Sequence, residues 1–144
     1  MSVWGVGSFE NDFALDWLGE LESERSTGLV ASTLALVADA LPSGGVDDDE
    51  GDYLELHEVC AALAAAEVVA SALGKPGPEL SDETMRWLEQ QRAELAVLAP
   101  LACKAAERVR DDSEASELWA ETDEFLLWHD TVNELISRLQ VARA

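Results

Sequence analysis

The stretch AALAAAEVVASAL, residues 61–73, decides how this chain folds, because it sets a single carboxylate, Glu67, inside an otherwise apolar run. Taken from Val59 to Leu73 the run has 15 residues, too short and too rich in alanine for a bilayer span, which needs about 20. A helix that is apolar nearly all round belongs at the centre of a bundle. The pattern predicts that helix from about Asp52 to Leu73, stopped by GKPGP at 74–78. A carboxylate buried there is costly unless it is paired or hydrogen-bonded, so another part of the chain must answer Glu67.

The nearest rich supply of donors is WGVGSFENDFALDW, residues 4–17. Gly5 and Gly7 let backbone N–H groups come close, and the indole N–H of Trp4 or Trp17 is a spare donor. On this reading the N-terminal arm, residues 1–10, is a structural clasp pinned by Glu67. A second reading makes Glu67 an acid or base with raised pKa, in a pocket shared with Asp12 and Asp16. Asn11 or Asp12 can cap the helix that follows, in which Phe13, Trp17 and Leu21 recur every four residues. Asp12 and Asp16, at i and i+4, could ligate a divalent metal; solvated surface acids are the plainer reading.

The remaining periodicity is also helical. A second helix is expected over Ser26–Leu41, ended by the acidic loop PSGGVDDDEGD at 42–52. That loop fails as a calcium-binding EF-hand, since Gly51 and Asp52 fall where an oxygen ligand and a glycine are needed. After the Gly/Pro loop 74–80, Ser81 caps a helix whose buried face is Met85, Leu88, Leu95 and Leu98, and Pro100 must kink it or begin another. DDSE at 111–114 breaks and restarts the chain. From about Thr122, Phe125, Trp128, Val132, Leu135, Leu139 and Ala142 form a seam, read as core packing in preference to a dimer contact. No stretch alternates as a strand does. The expectation is therefore one all-α domain over 1–144, a bundle of five to seven helices.

Charge narrows the function classes. The 144 residues carry 30 acidic and 9 basic groups, a formal charge of −21, which repels nucleic-acid phosphates and attracts basic partners or divalent cations. Glycines and Glu10 soon after Met1 do not read as a signal peptide, so a cytoplasmic protein is expected, with no membrane partner. Cys60 and Cys103, without CxxC spacing, read as small buried thiols. HEVC puts His57 and Cys60 at i and i+3, short of a zinc site without further ligands, and His129 reads as a boundary residue. No nucleophile motif or phosphate loop is present, so no catalytic residue, metal or cofactor is assigned. Most aromatics suit a core; Trp119, in SELWAE, is the best placed for an exposed anchor.

The opening stretch resembles the signature of a bacterial family, domain of unknown function 4259. The matching residues are Trp4, Gly5, Gly7, Phe9, Glu10, Asn11, Asp12, Ala14, Asp16 and Trp17, and segments at AAAEVVASALG, LAPLACKAAERV and SELW are also similar. The resemblance implies no activity. The residues favour a small acidic module, monomer or homodimer, that binds an unidentified and basic protein, with an inhibitor or immunity-type role as one concrete form. The alternative is a small-ligand or metal-binding protein, or an enzyme, using Asp12, Asp16 and Glu67.

Overall fold

Helix caps divide the chain where the sequence offers side-chain oxygens. The computed structural model describes residues 7–40, 54–75 and 80–143. The side chain of Asn11 accepts the Ala14 N–H at 2.7 Å and opens α1 (Asp12–Glu24). Ser26 caps α2 (Thr27–Ala38), Ser81 caps α4 (Asp82–Gln90) and Ser113 caps α7 (Glu114–Ala120) in the same way. Between these lie α3 (Leu56–Ala72), the short α5 (Arg92–Ala96) and α6 (Ala99–Asp111), and α8 (Phe125–Arg143) ends the series. Among the described residues there are eight helices and no strand. The all-α, single-domain expectation holds. The count exceeds seven because the stretch from Ser81 to Pro100 divides at Gln91 and again before α6, whose first turn takes Pro100 without losing a needed N–H. The last helix starts three residues later than Thr122, whose hydroxyl bonds the Trp119 carbonyl and the Glu124 N–H in the preceding turn.

α3 is the axis of the bundle and touches each of the seven other helices. From Val59 to Ala72 every residue but Ala61 is buried. Its alanines make this possible. Ala62, Ala64, Ala65, Ala66 and Ala70 present a nearly smooth cylinder, and α6, which packs on it, likewise buries alanines at 99, 102, 105 and 106. Small residues on both helices let the backbones approach closely, so neighbours on all sides reach one central rod. Larger side chains from the outer helices fill the remaining space: Trp17 and Leu21 from α1, Leu34 from α2, Trp87 and Leu88 from α4, and Trp128, Leu135 and Leu139 from α8. The seam on α8 is thus core for Trp128, Val132, Leu135 and Leu139.

The end of α3 is a Schellman turn. Gly74, at φ 82°, occupies the left-handed position, the Lys75 N–H reaches the Ala70 carbonyl at 2.9 Å and the Gly74 N–H reaches that of Ser71 at 3.1 Å. At the other end the Glu58 carboxylate accepts the Glu55 N–H, and Glu114 of α7 accepts the Leu56 N–H at 2.6 Å. Residues 1–6, the whole acidic loop 42–52 with its flanks 41 and 53, and 76–79 of the Gly/Pro loop lie outside the described residues. Among the described residues no helix is long and apolar enough to cross a membrane.

A rod closed in by close backbone contacts does not tolerate added volume. Ala65→Leu is expected to lower unfolding free energy by about 1–3 kcal/mol in urea melts, through overpacking. Leu36→Ala, on a side chain left half exposed, should change it by less than about 0.5 kcal/mol.

Candidate functional site

Glu67 is 2% exposed and about two-thirds of the way along α3. Three side-chain donors meet its two oxygens. Arg138 of α8 grips it with a two-pronged guanidinium, Nη1 to Oε2 and Nη2 to Oε1, both at 2.9 Å. The Ser8 hydroxyl donates to Oε1, also at 2.9 Å. Arg138 goes further: Nη1 donates to the Lys75 carbonyl of the Schellman turn at 3.2 Å, and Nε to Glu134 Oε2 at 2.5 Å. Burial works to lower the Arg138 pKa, but the hydrogen bonds to Glu67 and Glu134, and their negative charge, hold it above its ordinary value. The pair is fully satisfied, which is the condition for a buried ion pair to be tolerated.

The segment Gly7–Asn11 is shaped to deliver Ser8. The Glu10 N–H bonds the Gly7 carbonyl, the Gly7 N–H donates to Glu10 Oε1 at 3.0 Å, and Asn11 Nδ2 donates to the Ser8 carbonyl while its oxygen caps α1. Asn11 therefore links the arm to the helix. The donors differ from those expected on sequence grounds. The Gly7 N–H is spent on Glu10, and the Trp17 indole donates at 2.9 Å to Thr33 Oγ1 of α2, tying α1 to α2. Trp4 and Gly5 lie outside the described residues. Arg138 was not anticipated. Its signal was slight: it stands between Leu135 and Leu139 on the inward side of α8, four residues after Glu134.

Asp12 and Asp16 are exposed on α1, apart from the buried Glu67, and none of the three lines either of the two clefts flanking α4. Neither aspartate belongs to the one group of three metal-ligating side chains that converges among the described residues. That group is Glu55, His57 and Glu58, with ligand atoms within 4.8 Å of one another. Its chemistry is already partly spent, since Glu58 caps the Glu55 N–H and His57 Nδ1 lies 3.4 Å from Glu55. Cys60 takes no part in it. Its thiol is buried and pushed up to about 12 by desolvation, with the Glu114 charge adding to the effect. Cys60 and Cys103 are both free and buried. Trp119 is only half exposed and packs on the core, so it is not the exposed anchor expected. The large apolar side chains in solvent are instead Leu15, Leu36, Val97, Leu126 and Leu127.

Comparison with known proteins gives a family. The model described as Domain of unknown function (DUF4259) matches residues 2–131, and the chain belongs to that family. No curated protein and no solved structure matches it.

Glu67→Gln leaves the Arg138 charge buried without its main counter-ion, and should cost roughly 3 kcal/mol in chemical denaturation. The double replacement Glu67→Leu with Arg138→Met should lose markedly less than the sum of the two single changes, since no charge is then stranded. A second expectation concerns pH. The Cys60 thiol ionises near its ordinary 9.0 when unfolded and near 12 when folded, so it contributes fully below 9.0. As pH rises from 9.0 toward 12 the unfolded chain releases the proton first, and that contribution is lost. Urea melts across this range should show wild type losing stability relative to Cys60→Ala.

Proposed function

We propose that this protein is a binding module for a basic protein surface, and that the outward ridge of α1 is its contact face. One observation supports the reading above the others. Asp12, Leu15, Asp16, Gly19 and Glu20 follow the i, i+3, i+4, i+7, i+8 spacing of one helical stripe, and all five are exposed. No cation among the described residues pairs with Asp12, Asp16 or Glu20. The core side of the same helix is occupied by Ala14, Trp17 and Leu21, so the ridge faces away from the fold. Leu15, 43% exposed, supplies an apolar contact in the middle of the charges.

A stripe of this kind steers a basic partner toward it and disfavours phosphate-bearing ones. Inhibitor or immunity-type binding, in which the ridge covers a basic toxin or nuclease surface, is the concrete form such a module takes. Gly19 adds to the fit: a side chain at this position would meet open space, so glycine is not demanded by packing and leaves the ridge low beside the acids. The clasp serves this reading as scaffold. Ser8 and Asn11 anchor the start of α1 against α3, which holds the ridge rigid.

The test is capture from the native lysate by wild type, by D12N/D16N/E20Q, and by an unrelated protein of equal negative charge. Wild type should retain one stoichiometric protein that the control does not. The triple variant, unchanged in melting temperature because its residues are exposed, should retain about tenfold less of it. High salt should release it, since exposed charges are screened within about 3 Å at 1 M. Equal capture by the triple variant would sink the assignment of the face, and nothing beyond the control would sink the module itself.

A further inference from the structure

The larger cleft lies between the C-terminal end of α3 and α4, about 620 Å³ in volume. That is the size range of small-molecule sites. It contains no residue of the α1 ridge or of the Glu67 network. Four charged side chains line it: Asp82, Arg86 and Glu89 from α4, and Arg92 from the first position of α5. Leu88 and Ser71 contribute from the buried side.

Two independent observations set this cleft apart. The first concerns cations. With 9 basic groups among 30 acidic ones, any guanidinium has carboxylates to choose from. The arginines outside the cleft whose side chains are described, Arg25, Arg108, Arg110 and Arg138, all pair with one. Arg86 and Arg92 form no ion pair among the described residues, although Asp82 stands four residues before Arg86 and Glu89 three before Arg92. The hydrogen bond of Arg86 goes from Nε to the Asp82 backbone carbonyl at 3.4 Å, and its terminal donors meet no acceptor among the described residues. The second concerns Ser71. It is 5% exposed, it lines the same cleft, and its hydroxyl is the one buried side-chain polar atom among the described residues without a hydrogen-bond partner. An orphaned buried hydroxyl is destabilising, and a ligand with a polar end relieves it.

The charges also select the ligand. Two guanidiniums and two carboxylates cancel, so the cleft is locally balanced within a molecule of charge −21. A phosphate dianion gains at the arginines but is opposed by the adjacent acids and by the field of the whole protein. A simple amine gains only at the acids, which the rest of the surface offers equally well. A ligand bearing both charges uses all four groups and is indifferent to the net field. We propose that this cleft binds a small zwitterion of the α-amino-acid class, free or as a short peptide, with its carboxylate on Arg86 and Arg92 and its ammonium against Asp82 and Glu89. Arginine forks match a carboxylate in geometry as well as charge. Met85, partly exposed in the lining, gives an apolar surface for the ligand's carbon atoms.

Calorimetric titration of the full chain tests this, with free amino acids of aliphatic and polar kinds, the corresponding dipeptides, and acetate, methylammonium and inorganic phosphate as partial ligands. A zwitterion should give saturable heat, with affinity at least about tenfold above acetate or methylammonium, since each keeps only half of the charged contacts. Whether the dipeptide or the free amino acid binds more tightly distinguishes the two sources. R86Q/R92Q and D82N/E89Q should each weaken binding about tenfold or more while circular dichroism stays that of wild type. D12N/D16N/E20Q should bind the zwitterion normally, so that failure here and failure of the α1 face are told apart. The proposal is overturned by no saturable heat with any zwitterion at millimolar concentration, by phosphate or acetate binding as tightly, or by binding that survives both cleft variants.

Discussion

A carboxylate inside a buried helix costs several kcal/mol, which only a charged partner of good geometry offsets. Here the partner is Arg138, and the two-pronged contact at 2.9 Å is joined by the Ser8 hydroxyl. The separations along the chain give the contact its weight: 59 residues from Ser8 to Glu67 and 71 from Glu67 to Arg138. The first turn of the structure and its last helix are thereby obliged to meet at one point on α3. The same guanidinium touches the Lys75 carbonyl, so the left-handed turn at Gly74 and the position of α8 are set together. Side chains as small as alanine then suffice along α3, because the register of its neighbours is specified by this polar contact and not only by interlocking shapes.

Arginines elsewhere follow the same economy. Arg108 donates to the Ala40 carbonyl at the end of α2, and Arg110 to Asn133 of α8, so each stitches α6 to another helix. Five other cations, Arg25, Lys75, Arg86, Arg92 and Lys104, are exposed. None of them pairs with the α1 ridge, so its acids keep their negative charge uncompensated.

Much of this was legible in the sequence where a local rule governs. The apolar run around Glu67, the caps at Asn11 and Ser81, the helix start near Ser26, and the stops at Gly74 and near Ser113 each follow from residue type and spacing. Gln91 and the stretch before Pro100 break helices without a strong breaker at the break itself, so α5 was hidden in a longer periodic segment. The need for a partner at Glu67 was also readable, but its identity was not. An arginine 71 residues away is chosen by the packing of α8, and no spacing rule spans such a distance. Trp17 shows the converse: its indole has several plausible acceptors in sequence, and the approach of α2 selects Thr33. Exposure of Trp119 was misread because the side of α7 that carries it packs against the core, which the short SELWAE segment does not reveal.

The long span between Ser8, Glu67 and Arg138 has a consequence for how the molecule is made. A chain leaves the ribosome at about 5–20 residues per second, N-terminus first. Ser8 and all of α3 therefore emerge several seconds before Arg138 does. Until then the Ser8 hydroxyl is the one of its three side-chain donors available to Glu67, and closing the bundle around it would bury a carboxylate without its cation. Arrival of α8 supplies the missing cation and permits closure. The last helix to be synthesised thus completes the charge balance of a core made earlier, and a chain truncated before Arg138 would have to bury Glu67 without its cation.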